Sequence, residues 1–266
     1  MNKLSGMGTL DRERITAILR STKGVFTVSE AARILNISDT EAAKLLSRWT
    51  AKGWFSRVKR GVYIPVPLES TTADIPLEDP WIIAAKLYSP CYIGGFSAAE
   101  YWGLTEQIFS TVVVFTAKQI RNRQSVINGT EFLLRTTPQA AMFGLKEVWR
   151  GQVKVPVSDP TRTMVDFLVD PKLGGGIRSV IDMFQVYLKS EDKNLSLLLE
   201  YAKKLDNGAV FKRIGFLTEQ YMSSEKQVIE ACKNQLTAGN TKLDPQLAAT
   251  KLITRWRLWI PDGWTK

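Results

Sequence analysis

The sequence predicts an α+β fold, in which a small helical unit closed by a hairpin precedes a larger mixed α/β domain with a helical C-terminal part. Three observations carry this expectation. Residues 27–64 hold two short amphipathic runs, a tight turn and a basic hairpin. The stretch PVPLESTTADIPLEDP at 65–80 has four prolines and little periodicity, as a linker does. Beyond it, the β-branched run TVVVFT at 111–116 is followed by a succession of helical patterns.

The elements can be justified in order. Leu10, Ile15, Ile18 and Leu19 give residues 10–20 an apolar face, with Thr9 as N-cap and Arg12, Arg14 and Arg20 turned outward. Residues 25–28 fit a short strand closing against the hairpin. The next helix is expected to open at Ser29, whose oxygen can accept from first-turn amides, and to bury Ala31, Ala32, Ile34 and Leu35. Asn36 and Ile37 make the turn, because Asn tolerates left-handed backbone. Ser38 and Glu41 then form a Ser-x-x-Glu capping box. Along this helix Ala42, Leu45, Leu46 and Trp49 recur at the spacing of one buried face, leaving Thr40, Lys44, Ser47, Arg48 and Ala51 outside. Gly53 suits a C-terminal cap, and Trp54 and Phe55 restart the chain as a strand. Arg57, Lys59 and Arg60 lead into a turn at Gly61, and Val62, Tyr63 and Ile64 return until Pro65 ends pairing.

Helix, strand, helix, helix and hairpin in that order make a winged helix-turn-helix. The expected partner is duplex DNA, with Ser38, Thr40, Lys44, Ser47 and Arg48 on the recognition helix and Arg57, Lys59 and Arg60 on the phosphates. Charge supports this. Six basic residues and no acidic one lie between Ala42 and Leu68. Of a formal net charge of +10 on 266 residues, +7 falls in residues 1–68, so the positive charge is localised on one module attached to a near-neutral body.

Composition excludes several classes. There is no histidine, which removes histidine-dependent general-base mechanisms. Cys91 and Cys232 are far apart and match no ligand spacing, so no metal and no cofactor are expected. Nothing approaches a membrane span and MNKLSGMGTLDRERI has no apolar run, so the expected location is the cytoplasm. The domains expected are 1–67 for the winged unit, 68–80 for the linker, 81–222 for the mixed domain and 223–266 for a helical and aromatic extension.

In the mixed domain Asp79 is expected to cap a helix from Pro80 to Tyr88. A strand at 91–93 precedes the Gly94-Gly95 turn, and Ser97 is read as the cap of a helix from Ala98 to Trp102. Strands follow at 111–116, 131–135 and 153–157, then helices at 161–168, 177–188, 195–205, 210–222 and 224–235. Asp159 caps the helix that Pro160 opens, and Arg162 and Asp166 stand four apart on one face as a structural pair. With no histidine or metal cluster beside them, these carboxylates make no catalytic site. Gly174-Gly175-Gly176 lacks the Lys-Ser/Thr ending of a phosphate loop and is read as a flexible connection. Trp256, Trp259 and Trp264 alternate with Arg255 and Arg257 near the end. They suit either a binding surface or a tail folded back on its tryptophans.

The winged unit, the GVYIP that closes it, the GGFSAA turn before Trp102-Gly103-Leu104, and VSDPTRTMVDFLVDP at 157–171 together resemble AbiEi-type antitoxins over roughly residues 9–222. The resemblance implies a repressor of its own operon that also antagonises a partner toxin of nucleotidyltransferase fold in phage defence, directly or indirectly, and no enzymatic activity. Two other readings of the residues stay open: a DNA-acting enzyme with a carboxylate site in the second domain, and an RNA-binding scaffold.

Overall fold

The computed structural model describes residues 8–22, 24–66, 79–127 and 129–264. The first six elements are α1 (Thr9–Ser21), β1 (Phe26–Thr27), α2 (Val28–Leu35), α3 (Asp39–Ala51), β2 (Phe55–Lys59) and β3 (Val62–Pro65). The strands form a small antiparallel sheet in the order β1-β3-β2. This arrangement is compatible with a winged helix-turn-helix.

Two helix starts differ from expectation. Thr9 is the first residue of α1 and Gly8 precedes it as cap, without a side-chain bond. Of the predicted apolar face only Ile15 and Ile18 are buried, while Leu10 and Leu19 are exposed. α2 opens one residue earlier than its predicted start at Ser29. Thr27 Oγ1 accepts from the Glu30 amide at 3.2 Å and the Glu30 carboxylate accepts from the Thr27 amide at 2.8 Å. This is a second capping box, written T-V-S-E, and Ser29 instead donates to Asp39 at 2.8 Å, tying α2 to α3.

The hairpin is buried on both faces. Phe26, Phe55 and Tyr63 pack with Ile15, Ile18, Leu46 and Trp49 beneath the helices. Val58, Val62 and Ile64, together with Val25, join a different core with residues 81–157. Strand alternation sends successive side chains to opposite faces, so one hairpin serves two layers.

The next elements are α4 (Pro80–Tyr88), β4 (Cys91–Ile93), α5 (Gly95–Tyr101), β5 (Thr111–Thr116), β6 (Gln124–Ile127), β7 (Thr130–Thr136), β8 (Leu145–Arg150) and β9 (Val153–Ser158). Asp79 caps α4 as predicted, accepting from the Trp81 amide at 2.9 Å. Most of the linker, 67–78, lies outside the described residues. The strands form a six-stranded mixed sheet, β6-β7-β5-β4-β9-β8, with parallel pairs β5/β7 and β4/β9. Ser97 is not the cap of α5. The helix begins at Gly95, and Ser97 Oγ accepts from the Val113 amide at 2.9 Å and donates to the Thr111 carbonyl at 3.3 Å, fastening α5 to β5. Gly95 has φ +57°, and a Cβ there would meet Val113 and the Leu173 carbonyl at 3.0–3.1 Å.

On one sheet face Ile93, Val112, Val114 and Phe132 pack against α4 and the hairpin. On the other, Tyr92, Val113 and Phe115 pack against a helical layer. That layer comprises α6 (Pro160–Val169), α7 (Ile177–Lys189), α8 (Leu195–Lys204), α9 (Gly208–Tyr221) and α10 (Lys226–Asn234). The triple glycine forms a tight turn ahead of α7. Gly175 and Gly176 take positive φ, and the amide of Ile177 donates to Asp244 at 2.9 Å.

Residues 223–266 are not purely helical. After α10 come β10 (Thr241–Lys242), β11 (Lys251–Ile253) and β12 (Leu258–Ile260), paired as β10-β12-β11. Trp256 is fully buried and donates to Glu219 at 2.7 Å, while Trp259 and Trp264 are half-buried. A Cβ on Gly215 of α9 would lie 2.1 Å from the Trp256 ring. Gly215→Ala is therefore expected to destabilise the fold by about 1–3 kcal/mol through overpacking. Urea unfolding checks this, and a neutral result would mean that the tail does not rest on α9.

Candidate nucleic-acid interface

α3 is held at its N-terminal end and along its inner face. Ser38 caps it, accepting from the Glu41 amide at 3.2 Å, while the Glu41 carboxylate accepts from the Ser38 amide at 3.1 Å and hydroxyl at 2.8 Å. These bonds to Ser38 lower the pKa of the exposed Glu41 carboxyl. Asn36 takes the left-handed conformation, φ 52° and ψ 49°, that turns the chain from α2 into α3. Ala42, Leu46 and Trp49 are buried and Leu45 half-buried. Opposite them Thr40, Lys44, Ser47, Arg48 and Ala51 are all exposed. At these spacings they share one helical side, small and polar with two cations. Ser38 stands at the head of that face, but its hydroxyl is engaged in the cap.

The face is less naked than its local sequence indicates. Asp11, in the first turn of α1, receives Arg48 Nη2 at 2.8 Å and lies 3.7 Å from Lys52 Nζ. Burial would raise the Asp11 carboxyl, but the Trp49 side chain and these two cations outweigh it and leave the pKa lowered. Lys52 Nζ also sits 4.5 Å from the Trp54 ring centroid. A window without acidic residues thus misses a carboxylate supplied from 37 positions upstream. No local spacing signals that contact, because it depends on the tertiary fold that brings the first turn of α1 within reach of the Arg48 and Lys52 side chains.

The three wing cations do not share one face. Arg57, Lys59 and Arg60 are all exposed, but on different sides of the hairpin. The register shifts between Arg57 and Lys59, and Lys59 pairs with Val62, whose side chain belongs to the core shared with the second unit. Lys59 Nζ accordingly lies 6.0 Å from the Tyr88 ring, on the body side of the hairpin. Gly61, with φ +78°, makes the turn between them.

The carboxylates considered for chemistry are committed elsewhere. Asp159 accepts from the Arg162 amide at 2.7 Å as a cap and from Tyr201 Oη at 3.0 Å. Asp166 pairs with Arg162 at 2.9 Å and accepts from Tyr92 Oη at 3.2 Å. Among the described residues no group of three or more Cys, Asp or Glu side chains is placed to hold a metal. No helix among them is long and apolar enough to cross a membrane.

The crystal structure of the RV2827C protein from Mycobacterium tuberculosis has a similar fold. It matches with a TM-score of 0.68 over 97% of this chain and 94% of that one, at 13% identity, a likeness of fold alone. No curated protein matches the sequence. A family model described as "Transcriptional regulator, AbiEi antitoxin" matches residues 13–66, the stretch that contains the capped helix pair and the hairpin. Over that stretch the chain is therefore similar to the AbiEi transcriptional regulators and antitoxins.

Proposed function

We propose that the chain is a sequence-specific DNA-binding repressor of its own operon and the antitoxin of a nucleotidyltransferase-fold toxin, with winged unit and mixed domain dividing the two tasks. The observation that carries the DNA reading is the exposed side of α3, where Thr40, Lys44, Ser47 and Arg48 stand on a doubly fixed helix. Lys and Arg reach guanine acceptors in a major groove, and short hydroxyls approach bases without clash. The family description of residues 13–66 supports both halves. The test is binding of the full chain to duplex from its own upstream region, against unrelated duplex and structured RNA. The reading expects a preference of about a thousandfold or more for the upstream duplex. Equal affinity for all three, or preference for RNA, overturns it. The antitoxin half expects growth rescue on co-expression with a nucleotidyltransferase encoded beside it.

The hairpin geometry refines the wing's role. Arg57→Ala with Arg60→Ala is expected to reduce the slope of log affinity against log salt by about 2, one for each lost phosphate contact. Lys59→Ala is expected to leave the slope nearly unchanged, since its ammonium lies over Tyr88. Salt titrations of the two variants decide. An unchanged slope in the double variant removes the wing from the interface.

A further inference from the structure

Between the helix pair and the body runs a cleft of about 540 Å³, within the range of small-molecule sites, which favour junctions of this kind. One wall is the end of α1 and α2. The other is α4 and β9. Half-buried Ile34, Ile82 and Val153 line it, so much of the surface is apolar. Its charge is one-sided: Arg33, Lys86 and Lys154 line it with a single carboxylate, Glu30. Glu30 is already used, pairing with Lys86 while it completes the α2 capping box. Burial would raise the Glu30 carboxyl, but Lys86 and Thr27 outweigh it and lower the pKa, so the acid stays ionised and paired. Lys154 pairs with Glu147 at 2.7 Å. Arg33 has no carboxylate partner among the described residues and projects from α2 at the cleft.

We infer that this cleft binds a small amphiphilic anion, a single carboxylate carried on an apolar chain. The apolar wall removes the chain from water, and the Arg33 guanidinium offers the carboxylate a charge-assisted pair. A cation would meet the uncompensated Arg33 guanidinium, and a neutral molecule would leave that guanidinium unused. The occupant would touch α2 and α4 together, bridging the helix pair to the body. The inference does not depend on the DNA reading.

Isothermal titration of the full chain with octanoate, octan-1-ol and octyltrimethylammonium tests it. Octanoate is expected to saturate one site, the alcohol to bind more weakly, and the cation not to bind. Arg33→Ala, at an exposed position, is expected to weaken octanoate by about tenfold or more through loss of the charged hydrogen bond. Ala85→Phe, which fills the cleft, is expected to abolish binding, provided its melting temperature matches the parent's. Arg12→Ala, an exposed cation on α1 outside the cleft, serves as a control and should bind as the parent does. Absence of saturation at millimolar octanoate, equal binding of acid and alcohol, or an unaffected Arg33→Ala overturns the proposal. If Ala85→Phe does not fold, Arg33→Ala alone decides.

Discussion

Arg162→Leu is expected to cost about 3–5 kcal/mol of stability, a large share of what an ordinary domain possesses. The side chain is 1% exposed, yet its donors are well supplied. Nε donates to Asp166 at 2.9 Å, Nη1 to the carbonyls of Ala141 and Phe143 at 2.8 and 2.9 Å, and Nη2 to Tyr92 Oη at 3.0 Å. The guanidinium also lies 4.3 Å from the Phe143 ring centroid. Burial alone would lower its pKa, but the adjoining Asp166 carboxylate more than offsets that and leaves it raised. Removing the cation strands Asp166, a carboxylate with no route to water, and two carbonyls. Replacing both charges removes the stranded group, so Arg162→Leu/Asp166→Leu is expected to be less damaging than Arg162→Leu alone.

The same argument fixes a pH dependence. Burial raises the Asp166 pKa above its ordinary 3.8, and losing Arg162 raises it further. A carboxyl whose folded pKa is raised favours folding in its protonated form, below the unfolded value, and loses that contribution as pH rises through the folded value. The stability deficit of Arg162→Leu should therefore shrink on acidification toward pH 3.8. Urea unfolding across pH provides the measurement. A deficit that is constant with pH, or a double variant as unstable as the sum of the singles, would show that the pair is not the source of the cost.

Legibility in the sequence followed physical signal strength. Three helix starts were placed well because the cap is written in nearby residues, Ser38 with Glu41, Asp79 with Pro80 and Asp159 with Pro160, whereas the Thr27-Glu30 box of α2 was masked by the neighbouring Ser29. The i,i+4 spacing of Arg162 and Asp166 foretold their pairing, though not its near-complete burial. Strands β6 and β8 gave no warning. Both are edges of the six-stranded sheet, and edges carry polar and charged side chains that break the apolar pattern. Gln124 is exposed on β6, as are Lys146, Glu147 and Trp149 on β8. The terminal sheet was missed for a different reason. β10 has two residues and β11 and β12 three each, too short for periodicity to register. Their order comes from distant partners, since buried Arg213 donates to the carbonyls of Leu168, Val169, Lys242 and Leu243 and so joins the tail to α6. In the helix pair and hairpin, residue spacing identified the exposed side of α3 correctly. It could not foresee Asp11 beside Arg48 or the register shift that sends Lys59 toward Tyr88.

Lys44→Ala with Arg48→Ala is expected to cost about 2–6 kcal/mol of operator affinity, at 1–3 kcal/mol for each base contact, while affinity for unrelated duplex falls much less. The two positions are one helical turn apart on the exposed side of α3 and support no buried side chain, so the fold should persist. They are not equivalent. Lys44 has no carboxylate partner among the described residues, whereas Arg48 must leave Asp11 to reach a base. Lys44→Ala should accordingly lose more than Arg48→Ala. Asp11→Asn isolates this difference, because it releases Arg48 and Lys52 and removes a negative charge from beside the exposed side of α3. It should tighten binding at low salt and steepen the salt dependence, since more cations become available to displace counterions. The combination of Asp11→Asn with Arg48→Ala should retain only the part of that gain due to Lys52 and the lost charge. Fluorescence anisotropy on operator and scrambled duplexes at several salt concentrations resolves all five variants. A folded double variant that retains the operator preference, or an Asp11→Asn variant that binds more weakly than the parent, would place the recognition surface elsewhere on the molecule.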